Sequence, residues 1–392
     1  MPKKIELPQI VIDAIIKNRQ CSIGTAKSYT SNIKKIYESI SNNDQPFQNL
    51  DFILSNHEEI LSFIKNMDKS DNTKLNYLKA IIATMTSVIK ENDNDRRGIT
   101  IVLDGFEEIE KIYREYFDQL NLKLVSDRNS GKKSNKQESN WMKWDDILKQ
   151  VQIIQDEFDK LNIDTNSSPN QNKKKRNKEM QIIQKLAISL LYTELEPRRT
   201  EYAGHTVDEI VITDNVKDII TKTYGTKWLT WNEFDTLHDE EKNNNNYLIT
   251  KFKTDFDISN IPTLNDIESM YFSLAKWKMS HKYGIQNIKL NDKLTHIFLL
   301  WRKWNTFPFV FIQIRPRGKG IDANDIDGTP ISNNGFVNLI SSIFSTEEKK
   351  VSIDMLRTIY KTTFLKDAYQ KIEDSAKAMG HSEAIGKTYV KN

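Results

Sequence analysis

The chain has 392 residues, with 57 Lys and Arg against 54 Asp and Glu, a net charge of +3, and 38% hydrophobic and 10% aromatic residues. This length exceeds what one hydrophobic core supports, so roughly two to three domains are expected, and the apolar content excludes wholesale disorder. One cysteine, Cys21, excludes an internal disulfide and a Cys-rich zinc site and points to a reducing compartment, while the near balance of charge neither requires nor forbids a polyanionic partner.

The N-terminus, MPKKIELPQIVIDAIIKNRQ, has no long apolar core, and no run of about 18 apolar residues occurs anywhere. A soluble, unsecreted protein without a membrane partner is expected. Across the first third, Tyr29, Ile33, Ile36, Tyr37 and Ile40 recur at steps of three and four. So do Leu75, Leu78, Ile82, Met85 and Ile89, and then Phe106, Ile109, Ile112, Tyr113, Tyr116 and Leu120. This periodicity predicts a helical domain over residues 1–125. The stretch SDRNSGKKSNKQESN, 126–140, lacks apolar residues and reads as a basic flexible linker.

A second domain is expected over 141–392. Asp145 and Asp146 favour a helix start within WMKWDDILKQV. The polar run from Thr165, containing Lys173, Lys174, Lys175 and Arg176, reads as a solvated loop, and Met180 to Tyr192 as a buried helix. Short strands are predicted at DEIVIT from Asp208, NYLIT from Asn246 and KFKTDF from Lys251, with Asn243 to Asn246 as a turn signal. Helices follow over Leu264–Trp304, Asn334–Phe344 and Ser352–Leu365. The predicted class is mainly α with a small antiparallel β-sheet.

Four stretches carry candidate chemistry. In LYTELEPRRTEYAG, Leu191–Gly204, two arginines follow a proline directly after the apolar helix, and Glu201 lies three residues past Arg198. A guanidinium held there can chelate two phosphate oxygens, or it can close the helix end as an ion pair with Glu201. KFKTD places Lys251 and Lys253 in a strand, where lysines commonly protect an edge. In KKVSIDMLRTIYKTTFL, Ser352 can cap a helix that carries Arg357 one turn in. The last, AMGHSEAIGKTYVKN, holds a Gly-His pair and an isolated tyrosine.

In this order, Leu-Tyr-Thr followed by Arg-x-x-Glu, a hairpin Lys-Thr, a helical Leu-Arg, Met-Gly-His-Ser and a late tyrosine resemble the tyrosine recombinase (phage integrase) family. The likeness is closest to recombinases of large DNA viruses and mobile elements. It implies a helical SAM-like core-binding domain followed by a tyrosine-recombinase catalytic domain. By position, it implies Arg198 and Arg357 as phosphate-holding arginines, Lys253 as the hairpin lysine, His381 at the late His/Trp position and Tyr389 as the nucleophile. Arg199 competes with Arg198. Asp354 stands where the family usually has His or Lys, and the His381-to-Tyr389 separation of eight (389 − 381) is one shorter than usual.

The implied activity is site-specific cleavage and rejoining of double-stranded DNA through a 3′-phosphotyrosyl intermediate, without ATP, metal or other cofactor. Relaxation of the type IB topoisomerase kind, or a DNA-binding structural or packaging role without catalysis, are the alternatives. Double-stranded DNA is the implied partner, bound by a homo-oligomer, a tetramer, with Arg128, Lys132, Lys133 and Lys136 of the linker contacting phosphates. The implied location is the host cytoplasm or nucleus, or a virion. PRGKG, Pro316–Gly320, lacks the spacing of a phosphate-cradling loop, and the six histidines show no metal-ligand spacing. The two tryptophans of WRKW, Trp301–Trp304, read as core.

Overall fold

The apolar stripes of the first third pack on one another. In the computed structural model, which describes residues 9–41, 51–92, 106–129, 131–164, 167–213, 216–254, 256, 262–314, 326 and 328–380, this region carries α1 (Gln9–Arg19), α2 (Ile23–Ile40), α3 (Asp51–Ser55), α4 (His57–Asn66), α5 (Asp71–Asn92) and α6 (Phe106–Asn129). Ser22 starts α2 by accepting from the Thr25 amide at 3.2 Å. Helix α5 packs against α1, α2 and α6 and buries Leu75, Leu78, Ile81 and Met85. Tyr113 of α6 lies in the same core, and its hydroxyl donates to the Ile53 carbonyl at 3.1 Å. Burial pushes that phenol's pKa upward, since no water is left to solvate a phenolate.

The chain divides into two compact units, Met1–Lys133 and Ser134–Asn392, each built around its own hydrophobic cluster. The boundary falls inside the segment read as a linker, but that segment is not structureless. Helix α6 runs on to Asn129, and α7 (Asn135–Asn140) is capped by Ser134. The reason is a local capping box: Ser134 Oγ accepts from the Gln137 amide at 3.3 Å, while Gln137 Oε1 accepts from the Ser134 amide at 2.9 Å.

The second unit continues with α8 (Trp144–Asp159) and α9 (Lys173–Glu194). Helix α9 starts earlier than its apolar pattern does, inside the run expected to be a loop. Asn172 accounts for this, because its side chain accepts from the Lys174 and Lys175 amides at 3.1 and 3.2 Å. From Ile182 to Tyr192 almost every side chain of α9 is buried. Removing each large apolar side chain from water contributes about 1.5–3 kcal/mol, so the end of α9 is held firmly. Gln184 keeps this burial tolerable by pairing with the backbone of Ile312 at 3.0 and 3.2 Å.

Two sheets follow where one antiparallel sheet was expected. Strands β1 (Gly204–Thr213) and β2 (Val216–Gly225) form an antiparallel hairpin. Next come β3 (Lys227–Thr230), α10 (Trp231–Asp235), α11 (Asp239–Asn244), β4 (Asn246–Phe252), β5 (Ile267–Leu274), α12 (Ser280–Tyr283) and β6 (Gln286–Lys289). The second sheet has the order β3-β4-β5-β6, with β3 parallel to β4 and the other pairs antiparallel. The runs NYLIT and KFKTDF contribute a single strand, β4, and the asparagine run closes α11 rather than turning a hairpin. Much of the predicted Leu264–Trp304 helix is instead β5 and β6. In β5, Met270, Phe272 and Leu274 alternate into the core, the period-2 signature of a strand. Helix α13 (Asp292–Trp304) buries Trp301 and Trp304 against α9, and α14 (Asn333–Phe344), α15 (Ile353–Phe364) and α16 (Lys366–Ala378) complete the unit. Among the described residues, no helix is long and apolar enough to cross a membrane.

Candidate functional site

The turn that follows α9 carries Pro197, Arg198 and Arg199, and its backbone is tied down at three points. The buried Tyr192 hydroxyl donates to the Arg199 carbonyl. The Ala203 amide donates to Thr200 at 2.9 Å, and Asn246 Nδ2 donates to the Glu201 carbonyl at 3.0 Å. Gly204 ends the turn at φ +127°, where a Cβ would come within 2.0 Å of the Tyr224 carbonyl oxygen, so only glycine fits. The same Asn246, 1% exposed at the start of β4, also donates to the Lys276 carbonyl at 3.0 Å and accepts from the Lys276 amide at 2.8 Å. One buried amide therefore clasps the arginine turn to the segment after β5.

That segment presents Trp277 and Lys278. Trp277 Nε1 donates to the Gly284 carbonyl at 3.0 Å, and its ring stacks on Tyr283 with centroids 6.0 Å apart. The Arg198 guanidinium lies over Trp277, 5.3 Å from the ring centroid, and donates to Gln286 Oε1 of β6. It does not pair with Glu201, whose Oε2 is buried and unbonded.

Arg357 is carried by α15, which Ser352 caps by accepting from the Met355 amide at 3.2 Å. Its Nη1 donates to Asp354 Oδ1 at 3.3 Å, and Arg199 Nε lies 4.0 Å from the same oxygen. Asp354 is exposed, so these pairs orient the guanidiniums more than they stabilise the fold.

A cavity of about 420 Å³ opens between these parts, lined by Arg198, Arg199, Lys278, Arg357, Tyr360 and Lys361, with Glu196 and Glu201 as its acidic members. Arg198 and Arg357 are 159 positions apart in sequence (357 − 198) and line the same cavity. Two guanidiniums converging on one space can chelate the non-bridging oxygens of a phosphate, and Arg199, Lys278 and Lys361 add three further cations. Beneath them the phenol pKa of Tyr192 is raised well above its ordinary value, first by burial and then by Tyr202 and Glu201, so Tyr192 stays protonated as a donor to the turn.

A second cavity, of about 470 Å³, shares Arg199, Glu201, Trp277 and Lys278 with the first and adds His205, Lys276 and Ser280. His205 stacks on Tyr224 at 5.2 Å, and burial followed by the Lys276 charge lowers its pKa to about 4. Its imidazole is neutral at pH 7.

The other residues singled out from sequence lie elsewhere. Lys253 is exposed just beyond β4, where its amide donates to the Asp266 carbonyl at 2.9 Å, and it does not line the cavity. Lys132 and Lys133 are exposed at the end of the first unit and Lys136 on α7, whereas Arg128 falls in the last turn of α6. His381 and Tyr389 lie outside the described residues. Trp277, Lys278, Gln286 and Asn246 were not selected from sequence. A signal for Lys278 exists in AKWKMSHKYG, where an aromatic flanked by lysines precedes a glycine turn between two strands. Among the described residues no group of His, Cys, Asp or Glu could hold a metal ion. Comparison with protein-family models, with curated proteins and with solved structures gave no match.

Proposed function

We propose that the second unit is a DNA strand transferase of the tyrosine-recombinase type and that the first is its helical, SAM-like DNA-binding partner. The observation that carries this reading is the convergence of Arg198 and Arg357 on one solvent-open cavity beside Lys278. A phosphodiester resists attack because of its own charge and its poor leaving group. Paired guanidiniums on the non-bridging oxygens answer the first difficulty, and an ammonium near a bridging oxygen answers the second.

In the proposed reaction the Tyr389 oxygen attacks phosphorus, forming a tyrosyl O–P bond as the P–O5′ bond breaks. Arg198 and Arg357 hold the non-bridging oxygens while charge builds on them. Lys278 gives its proton to the departing 5′ oxygen, and His381 takes the proton lost by the phenol. Lys278 takes this part in place of Lys253 because it lines the cavity and Lys253 does not. The phosphotyrosyl bond conserves the energy of the broken link, so a second 5′ hydroxyl can reverse the attack and reseal the strand. Site-specific joining by an oligomer on double-stranded DNA is the corresponding biological role.

A nicked duplex that loses its 5′-hydroxyl fragment after cleavage traps the intermediate. Wild-type protein is expected to accumulate a covalent adduct on such DNA. Tyr389→Phe is expected to yield none, and Arg357→Ala to form it about 10²–10³-fold more slowly. Absence of any adduct from the wild-type protein across a library of duplex sequences overturns the reading. Adducts accompanied by relaxation of plasmids without defined sites would assign the same chemistry to a topoisomerase.

A further inference from the structure

The second cavity adjoins the first, with Arg199, Glu201, Trp277 and Lys278 lining both, yet it brings a donor set of its own. Lys276 stands on the strand side and Ser280 opens α12, while Arg199 faces both spaces. The backbone of Lys276 is fixed through its amide and carbonyl by Asn246, so its ammonium projects from a rigid base. The acidic side chain lining this second space is Glu201, one carboxylate against the charges of Arg199, Lys276 and Lys278. His205, neutral at pH 7, adds no charge and offers a ring that can donate or accept. Two neighbouring cationic compartments match a chain of phosphates better than a single phosphate.

We propose that the Arg199–Lys276–Ser280 compartment seats a backbone phosphate next to the one held by Arg198 and Arg357, on the same strand. The inference rests on the strand-transfer reading and narrows it: the site takes a polynucleotide strand and grips it at two neighbouring phosphates. The second grip fixes the direction in which the strand enters, because the two compartments differ in their donors. It places the scissile phosphate by anchoring its neighbour and takes no part in bond breaking.

The test couples a residue to one phosphate. Duplexes carrying a single neutral methylphosphonate, moved one step at a time along the cleaved strand, are bound to the full-length protein and to Lys276→Gln across a range of salt. For unmodified duplex, Lys276→Gln is expected to weaken binding about 3–10-fold near 0.1 M salt and to lower the slope of log K against log salt by about 0.9. One methylphosphonate position beside the scissile phosphate is expected to weaken the wild-type protein to a similar degree and to leave Lys276→Gln unaffected, because the two changes remove the same contact. Ser280→Ala, which removes one hydroxyl, is expected to couple to that same position, and this keeps the test informative if Lys276→Gln folds poorly. If the wild-type protein forms covalent adducts but no position couples to Lys276 or Ser280, the second seat is refuted and the strand-transfer reading stands. Failure of the wild-type protein to bind any duplex overturns both.

Discussion

Protonating a leaving group and holding a phosphate are separable tasks, and single side chains in this cavity can be assigned by separating them. Sulfur in place of the bridging 5′ oxygen departs as a thiolate and needs little help from an acid. Lys278→Ala is therefore expected to slow adduct formation by about 10²–10⁴ on ordinary DNA and to recover most of that loss on 5′-thio DNA. Arg357→Ala is expected to stay slow on both, since the role proposed for it, on the non-bridging oxygens, does not involve the leaving group. Recovery by Lys253→Ala instead would move the acid to the end of β4. The two arginines stand out in the sequence because each follows a readable boundary, a proline after an apolar run for Arg198 and a serine cap for Arg357. Lys278 has no such marker. One lysine among 57 Lys and Arg becomes distinctive only when the fold carries it to a cavity wall.

At the level of elements, the site depends on the clasp by which Asn246 joins the arginine turn to the segment after β5. Asn246→Ala leaves the Glu201 carbonyl and both backbone groups of Lys276 without their partner in a buried place. It is expected to cost about 2–3 kcal/mol in urea unfolding, and to slow adduct formation because Arg198 and Lys278 are no longer held in a fixed relation. The sequence marks Asn243–Asn246 as a turn, and composition alone cannot distinguish the solvated asparagines from the buried one. The same limit explains the misread of Leu264–Trp304. A stretch with apolar residues at many spacings fits a helix as well as strands until pairing between β4, β5 and β6 selects the period of two. Helix α15 is legible because its period repeats over three turns and a serine cap stands at its start, and the later part of α9 because an apolar run marks it as buried. The opening turns of α9 were missed because three lysines and an arginine disguise the helix that Asn172 caps.

For the whole molecule, the division at Lys133 and Ser134 gives each unit a separate core, so each carries its own stabilising burial. A fragment beginning at Ser134 is expected to unfold in one cooperative transition by circular dichroism and to keep the full cavity. The isolated first unit is likewise expected to remain helical. If the Ser134 fragment is unfolded, the second core depends on the first. The composition reads as more than one domain, and the division at Lys133 and Ser134 falls within the apolar-free stretch 126–140. The helices that enter that segment from both ends follow from capping geometry, a finer signal. The wide sequence spacing of the two guanidiniums also has a consequence during synthesis. A ribosome adding about 5–20 residues per second needs roughly 8–32 s to travel from Arg198 to Arg357. Throughout that interval the growing polypeptide carries one of the two arginines that the proposed function sets on the phosphate, and the wall that α15 gives the cavity is still missing.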